Sequence, residues 1–342
     1  MMRSGARAAK RSLAKLPSRN AMAGRARCLM RRMKLDPVSL RLFVAVMEEG
    51  TIAAAAQREH IAPAAASKRI SELEGALDTV LFERSNRGTR STPAAHALLG
   101  LARNVLNGLD DIAEQMAGFG TGLRGHVRVF ANISAITQFL PDDLRSFMAA
   151  APMVQVHLQE RISTGIARAV ADSTADIGIL NAGDYGESLN FLPYRSDELV
   201  LLVPRGHALA RRRPVRFREA LAYEFVGAHP GSAVNALLHR AANEAGLPLR
   251  LRIQVSAYDA MALMVAAGLG IGVLPRLSAR LYLSSLGIRT VSLDEAWADR
   301  RLVLAVRSME ALSPAARMLV DHLGDASREG RASPVGLPEG DD

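Results

Sequence analysis

Cysteine is nearly missing from this 342-residue chain, in which Cys28 stands alone. One thiol makes neither an internal disulfide nor a thiolate metal site, a pattern that suits a reducing cytoplasm. Aromatic residues are scarce too, at 4% of the chain, and none clusters near the polar strand ends discussed below, which argues against a ligand held by ring stacking. No apolar run reaches the about 18 residues of a membrane-spanning helix, so no membrane partner is expected. Acidic residues are missing from one stretch: residues 1–34 hold eleven Lys or Arg and no Asp or Glu, leaving 32 basic against 34 acidic residues in the remainder. The formal net charge of +9 thus belongs to this leader and is no argument for nucleic-acid binding by the rest. The leader lacks the apolar core of a signal peptide, and an Arg-rich transit peptide fits its composition but not the bacterial look of residues 35–342. It reads as a disordered basic leader, or as sequence upstream of a start at Met33.

What is present, 49% hydrophobic and 23% charged residues, suffices for a sizeable core divided between two or three domains. Residues 35–92 read as a small helical domain. Pro37 after Asp36 opens a helix with Leu40, Phe43, Val44 and Met47 on one face, and Gly50 stops it. Thr51 caps a short second helix that turns Ile52, Ala55 and Ala56 inward, and a turn at His60–Ala62 comes next. The third helix, Pro63–Leu77, buries Ala66, Ile70, Leu73 and Leu77 and presents Ala64, Ser67, Lys68 and Ser71 on its other face. Val80–Glu83 and Thr89–Ser91 can pair across Ser85–Gly88, which puts Arg84, Arg87 and Arg90 on a wing. Two helices joined by a tight turn, the second small and basic near its start, form a helix-turn-helix suited to a major groove, and wing guanidiniums suit phosphates or a narrow minor groove. A structural helix-turn-helix with solvated charges would show the same pattern.

Residues 35–96 resemble the N-terminal domain of LysR-type transcriptional regulators through Leu40-Arg-Leu-Phe43, Glu49-Gly-Thr51, Ala55-Ala56, Ser67-Lys-Arg-Ile70, Leu73-Glu74, Leu81-Phe-Glu-Arg84, Arg87-Gly88 and Thr92-Pro93, in order and at family spacing. The resemblance implies a winged helix-turn-helix binding double-stranded promoter DNA, with Ser67, Lys68 and Arg87 as DNA contacts and Thr51 on a phosphate. The chain departs from the family at one position. Where such proteins often open the recognition helix with Ser-Gln-Pro-Ala, this one has Ala62-Pro63-Ala64-Ala65. Pro63 cannot hydrogen-bond to a base edge, so operator choice should lean on Ser67, Lys68 and DNA shape.

Thr92 and Pro93 again supply a cap and a first helical position for a linker helix over 93–119. Leu98, Ala102, Val105, Leu109, Ile112 and Met116 recur along it at alternating steps of four and three. That is a heptad seam suited to a homodimer, although a helix packed on its own domain would show it as well. Phe119–Gly125, rich in glycine, reads as a hinge at 120–125.

Residues 126–324 alternate short apolar runs with helical stretches, as in an α/β domain with largely parallel sheets. Strands are expected at 127–131, 154–158, 177–180, 199–203, 250–255, 271–274, 288–293 and 301–306, and helices at 141–150, 165–171, 233–245, 257–267 and 314–323. This half resembles the periplasmic-binding-protein-like (type 2) effector domain of the same family through Leu140-Pro141, Ala175-Asp-Ile-Gly-Ile179, Leu202–Ala210 and Val265–Pro275. The resemblance implies two lobes, 126–195 with 293–324 and 196–292, joined by two crossing strands around an effector cleft. Strand ends and helix N-termini suit an anion there, such as an organic acid. Ser134 matches a position where the family commonly binds effector through Ser or Thr. Asn132, Asn181, His229, Ser232 and Ser256 stand at comparable ends, where cap or turn roles are equally available to them. Residues 325–342 read as a disordered tail.

Other classes fit less of the chain. Ser134, His229 and Asp259 could be imagined as a triad, but no nucleophile elbow, zinc-type spacing or phosphate loop accompanies them, so no cofactor, metal or enzymatic activity is expected. A solute-binding protein has no use for residues 37–93, and an architectural DNA-binding protein leaves the second half idle. The expected function is a cytoplasmic, nucleoid-associated regulator that binds DNA as a dimer or tetramer and answers to a small molecule, meeting RNA polymerase if it activates.

Overall fold

The structure, a computed structural model, describes residues 35–85, 88–117, 124–186, 188–212 and 214–332. The leader with Cys28, most of the hinge (118–123) and residues 333–342 lie outside the described residues. The chain divides into two compact units between Ala102 and Arg103, and no described helix is long and apolar enough to cross a membrane.

The first unit opens with α1 (Pro37–Glu49), whose N-cap Asp36 accepts from the Ser39 amide, and which Gly50 ends at φ 74°. That left-handed turn is cheap only for glycine among common residues. The buried stripe of α1 is wider than the sequence spacing suggests: Leu42, Ala45 and Val46 join Leu40, Phe43 and Val44, because both α2 (Ile52–Arg58) and α3 (Pro63–Leu77) pack on it. Each large side chain so buried contributes about 1.5–3 kcal/mol. The hairpin of β1 (Phe82–Ser85) and β2 (Gly88–Ser91) is tied on at two points. The Glu74 carboxylate of α3 accepts from the amides of Leu81 and Phe82 at 2.8 and 3.0 Å, and the Phe82 ring lies 5.7 Å from that of Phe43. Thr92 then caps α4 (Pro93–Ala117) through the Ala95 amide and donates to the Val80 carbonyl.

The second unit holds two lobes. The first is built on β3 (Gly125–Ala131), followed by α5 (Ile133–Gln138), α6 (Leu140–Ala150), β4 (Val154–Glu160), α7 (Ser163–Ala171) and β5 (Ile177–Asn181). Strand β6 (Asn190–Pro204) then runs 15 residues out of this lobe into the next. The second lobe adds a 3-10 turn at Ala208–Arg211, α8 (Phe217–Ala220), β7 (Phe225–Ala228), α9 (Ala233–Glu244), β8 (Leu251–Val255), α10 (Tyr258–Ala266), β9 (Gly272–Pro275), α11 (Arg276–Leu286) and β10 (Ile288–Ser292). The chain returns through β11 (Asp299–Val306) to α12 (Pro314–Ala332).

Several expectations need correction. The sheets are mixed rather than largely parallel: β3 runs parallel to β4 and β5, and β7 to β8, but β6 and β11 pair antiparallel with their neighbours. A return strand crossing between lobes must oppose the strand that left. The second lobe also extends past residue 292, because Leu293, Trp297 and Ala298 pack into its core, and the first lobe resumes at β11. Helix α12 continues beyond 323 to Ala332, so the tail begins as helix.

Candidate functional sites

Helix α3 presents a bare first turn. Ala62, Pro63, Ala64 and Ala65 are all exposed, and the N-cap Ala62 offers no side-chain hydrogen bond. One turn on, Ser67 is half-buried while Lys68 and Ser71 are exposed. Lys68 Nζ lies 3.8 Å from Glu72; an ion pair that exposed is weak, so the ammonium can swing to another anion. Thr51 accepts from the Ala54 amide at 3.1 Å as the cap of α2, which leaves its hydroxyl proton to donate. On the wing, Arg90 faces Glu83 and the Arg84 position faces Thr89. The two arginine positions therefore fall on alternate faces of the hairpin, not on one. Arg87, at its tip, lies outside the described residues.

The six effector candidates come from four stretches of the chain and meet at one cavity of about 220 Å³ between the lobes. Asn132, Ser134, Asn181, His229, Ser232 and Ser256 all line it. Strand ends and helix starts explain the convergence. Asn132 follows β3 and Asn181 ends β5; Ser232 precedes α9, and Ser256 precedes α10. The cap reading also holds for two of them, since Asn132 accepts from the Ala135 amide and Ser232 from that of Asn235. Capping fixes these side chains at the cavity wall rather than removing them from it. His229 Nδ1 sits 2.7 Å from the Pro230 carbonyl, which places the ring proton there.

Sequence reasoning missed the polar centre of the cavity. Arg300, at the start of β11, is only 8% exposed along its side chain and forms a bidentate ion pair with Asp197 of β6, which is 1% exposed. Its Nη2 also donates to Ser134 Oγ at 3.2 Å, and its Nη1 is buried without a partner. Tyr258 places its hydroxyl 3.2 Å from Ser134 Oγ, linking the lobes, as does Thr137 Oγ1 at 2.8 Å from Ser278 Oγ. Burial, foremost, pushes the Tyr258 phenol above its ordinary pKa. Glu160 and Arg161 complete the charged lining. One aromatic residue thus stands at the site, two positions after Ser256, and contributes through its hydroxyl. Nothing in the spacing around Arg300 marks it, because its partner lies 103 residues away. The imagined triad does not assemble: Ser134 Oγ is engaged by Tyr258 and Arg300, while Asp259 is exposed and accepts from the Ala260 amide.

In the linker helix, Val105, Leu109, Ile112 and Met116 are exposed, at 39–60%, and Leu101 extends the row. Ala102 is buried and Leu98 half-buried by the chain itself, so the expected seam loses its first two members.

Comparison with known proteins gives a consistent outcome. The profile of the LysR substrate binding domain matches residues 120–328, and that of the bacterial regulatory helix-turn-helix protein, lysR family, matches residues 38–96. A probable HTH-type transcriptional regulator LrrA of Synechococcus elongatus is 31% identical over 246 residues, covering 72% of this chain and 82% of that protein. Full-length CbnR complexed with its target DNA aligns with a TM-score of 0.59 at 22% identity, over 85% of this chain and all of that one. The effector binding domain of QuiR in complex with shikimate aligns at 0.55 and 19% identity, over 60% of this chain and 99% of that one.

Proposed function

This chain belongs to the LysR family of transcriptional regulators, and from that premise we propose that it binds promoter DNA as a homodimer or dimer of dimers and changes its effect on transcription when a small molecule bearing an anionic group occupies its cleft. The observation that carries the cleft assignment is the convergence of six polar residues, distant in the chain, on one cavity where buried donors stand without partners. Arg300 Nη1 and Asn132 Nδ2 are the two such donors. A buried donor left unpaired costs about 1–3 kcal/mol, and an incoming carboxylate would remove that cost. QuiR in complex with shikimate supplies a solved precedent for a ligand in a domain of this fold.

The mechanism rests on the layout. The apolar row on α4 pairs two chains and sets their recognition helices at two half-sites. Ligand bridges groups of the two lobes, Ser134 and Arg300 on the first and Tyr258 on the second, and shifts the population toward the closed form. Gel shifts on the chain's own upstream DNA, with and without candidate metabolites, test this. Lys68→Ala and Arg87→Ala should each abolish the specific shift while leaving the fold intact. Ser134→Ala should retain the shift without ligand and lose the response to it. A wild-type protein that gives no specific shift under any condition refutes the reading.

A further inference from the structure

The cleft is charged at both signs. Its buried cation, Arg300, is already neutralised by Asp197 behind it, while Glu160 and Arg161, both exposed to solvent, stand next to each other in the lining. The buried pair leaves no net charge for a simple anion to balance, whereas a ligand that carries both signs brings its own. The unfilled hydrogen-bonding atoms sort the same way. Arg300 Nη1 and Asn132 Nδ2 are buried donors lacking acceptors, while Asn181 Oδ1 is a buried acceptor lacking a donor. Asn132 has its amide nitrogen left without a partner because its Oδ1 accepts from the Ala135 amide. Glu160 has no hydrogen bond or ion pair among the described residues, and its charge acts on the Tyr258 hydroxyl together with those of Arg300 and Asp197.

Register fixes how close the two ends are. Ala131 of β3 faces Glu160 of β4 in a parallel ladder, so Asn132 and Glu160 leave neighbouring strands, about 5 Å apart. A ligand between them can therefore reach both strand ends. The rest of the wall includes Val255 and Met261, and the volume is below the roughly 300–1,000 Å³ of drug-sized pockets.

We propose that the effector is a free α-amino acid with an apolar side chain, its carboxylate held by Arg300, Asn132 and Ser134 and its ammonium by Glu160 and Asn181. This rests on the cleft being the effector site and narrows what enters it. The test is a thermal-shift screen of the full chain against each of the twenty standard amino acids, followed by calorimetry. Each responding amino acid is compared with its desamino acid, for example leucine with 4-methylpentanoate. At least one apolar amino acid should raise the melting temperature, its desamino acid should bind at least tenfold more weakly, and Glu160→Gln should weaken the amino acid at least tenfold. Arg300→Gln should remove binding of both; should that variant fail to fold, Glu160→Gln alone decides. Silence from all twenty, a desamino acid that binds as tightly, or an unaffected Glu160→Gln overturns the proposal. A desamino acid that binds wild type as tightly as the amino acid does, but not Ser134→Ala, overturns it while leaving the cleft assignment standing.

Discussion

Gly270 carries more structural constraint than its size suggests. It has φ 153°, and a Cβ built on it would sit 2.7 Å from the Glu224 carbonyl oxygen, the same atom that accepts from the Ile271 amide. Backbone, unlike a side chain, cannot swing aside, and this contact seats β9 beside β7. Gly270→Ala should therefore cost about 2–4 kcal/mol, read as a lower denaturant midpoint at unchanged slope. Gly246 makes the comparison sharp. It also has a positive φ, 66°, but open space around it, so Gly246→Ala should cost only the about 1–2 kcal/mol of a left-handed alanine. Equal losses would remove the steric explanation. Both glycines can be picked out in the sequence as helix stops or motif members. The distinction between them cannot, because it depends on an oxygen 46 positions away in the chain.

At the scale of elements, the linker helix makes the clearest demand. Leaving Val105, Ile112 and Met116 half or more exposed on one chain wastes burial worth about 1.5–3 kcal/mol for each. Val105→Asp combined with Ile112→Asp should convert the protein to monomer by sedimentation while helical circular dichroism stays the same; a persistent dimer would move the interface elsewhere. The heptad spacing is legible in the sequence, but not where the seam begins, since a repeat does not tell which members the chain's own domain will cover. The same limit explains β6. Its second half, Leu199–Val203, is an apolar run and stands out, whereas Asn190–Glu198 is mostly polar because that half crosses between lobes and meets β11. Helix α11 is hidden in the same way: it buries only Ser278 and Ala279 fully, too narrow a stripe to stand out. The strand ends that build the cavity are legible because caps and termini leave local signals. The Arg300–Asp197 pair at its centre is not, because ion pairs between distant strands leave none.

At the scale of the whole molecule, the excess positive charge and the proposed recognition helix lie in different segments. The excess of positive charge is confined to residues 1–34, while the recognition surface of α3 is small and sparsely charged, with Lys68 already near Glu72. Basic charge outside a recognition helix contributes affinity that is indifferent to sequence and falls with salt, whereas helix fit contributes discrimination. Removing residues 1–32 takes away ten basic residues and should leave the specific gel shift in place. The slope of log affinity against log salt should flatten by about 0.9 for each phosphate the leader neutralises, and binding to unrelated DNA should weaken more than binding to the operator. Loss of the specific complex on truncation, or a slope identical to that of the full chain, would show that the leader and the reader do not divide the work in this way.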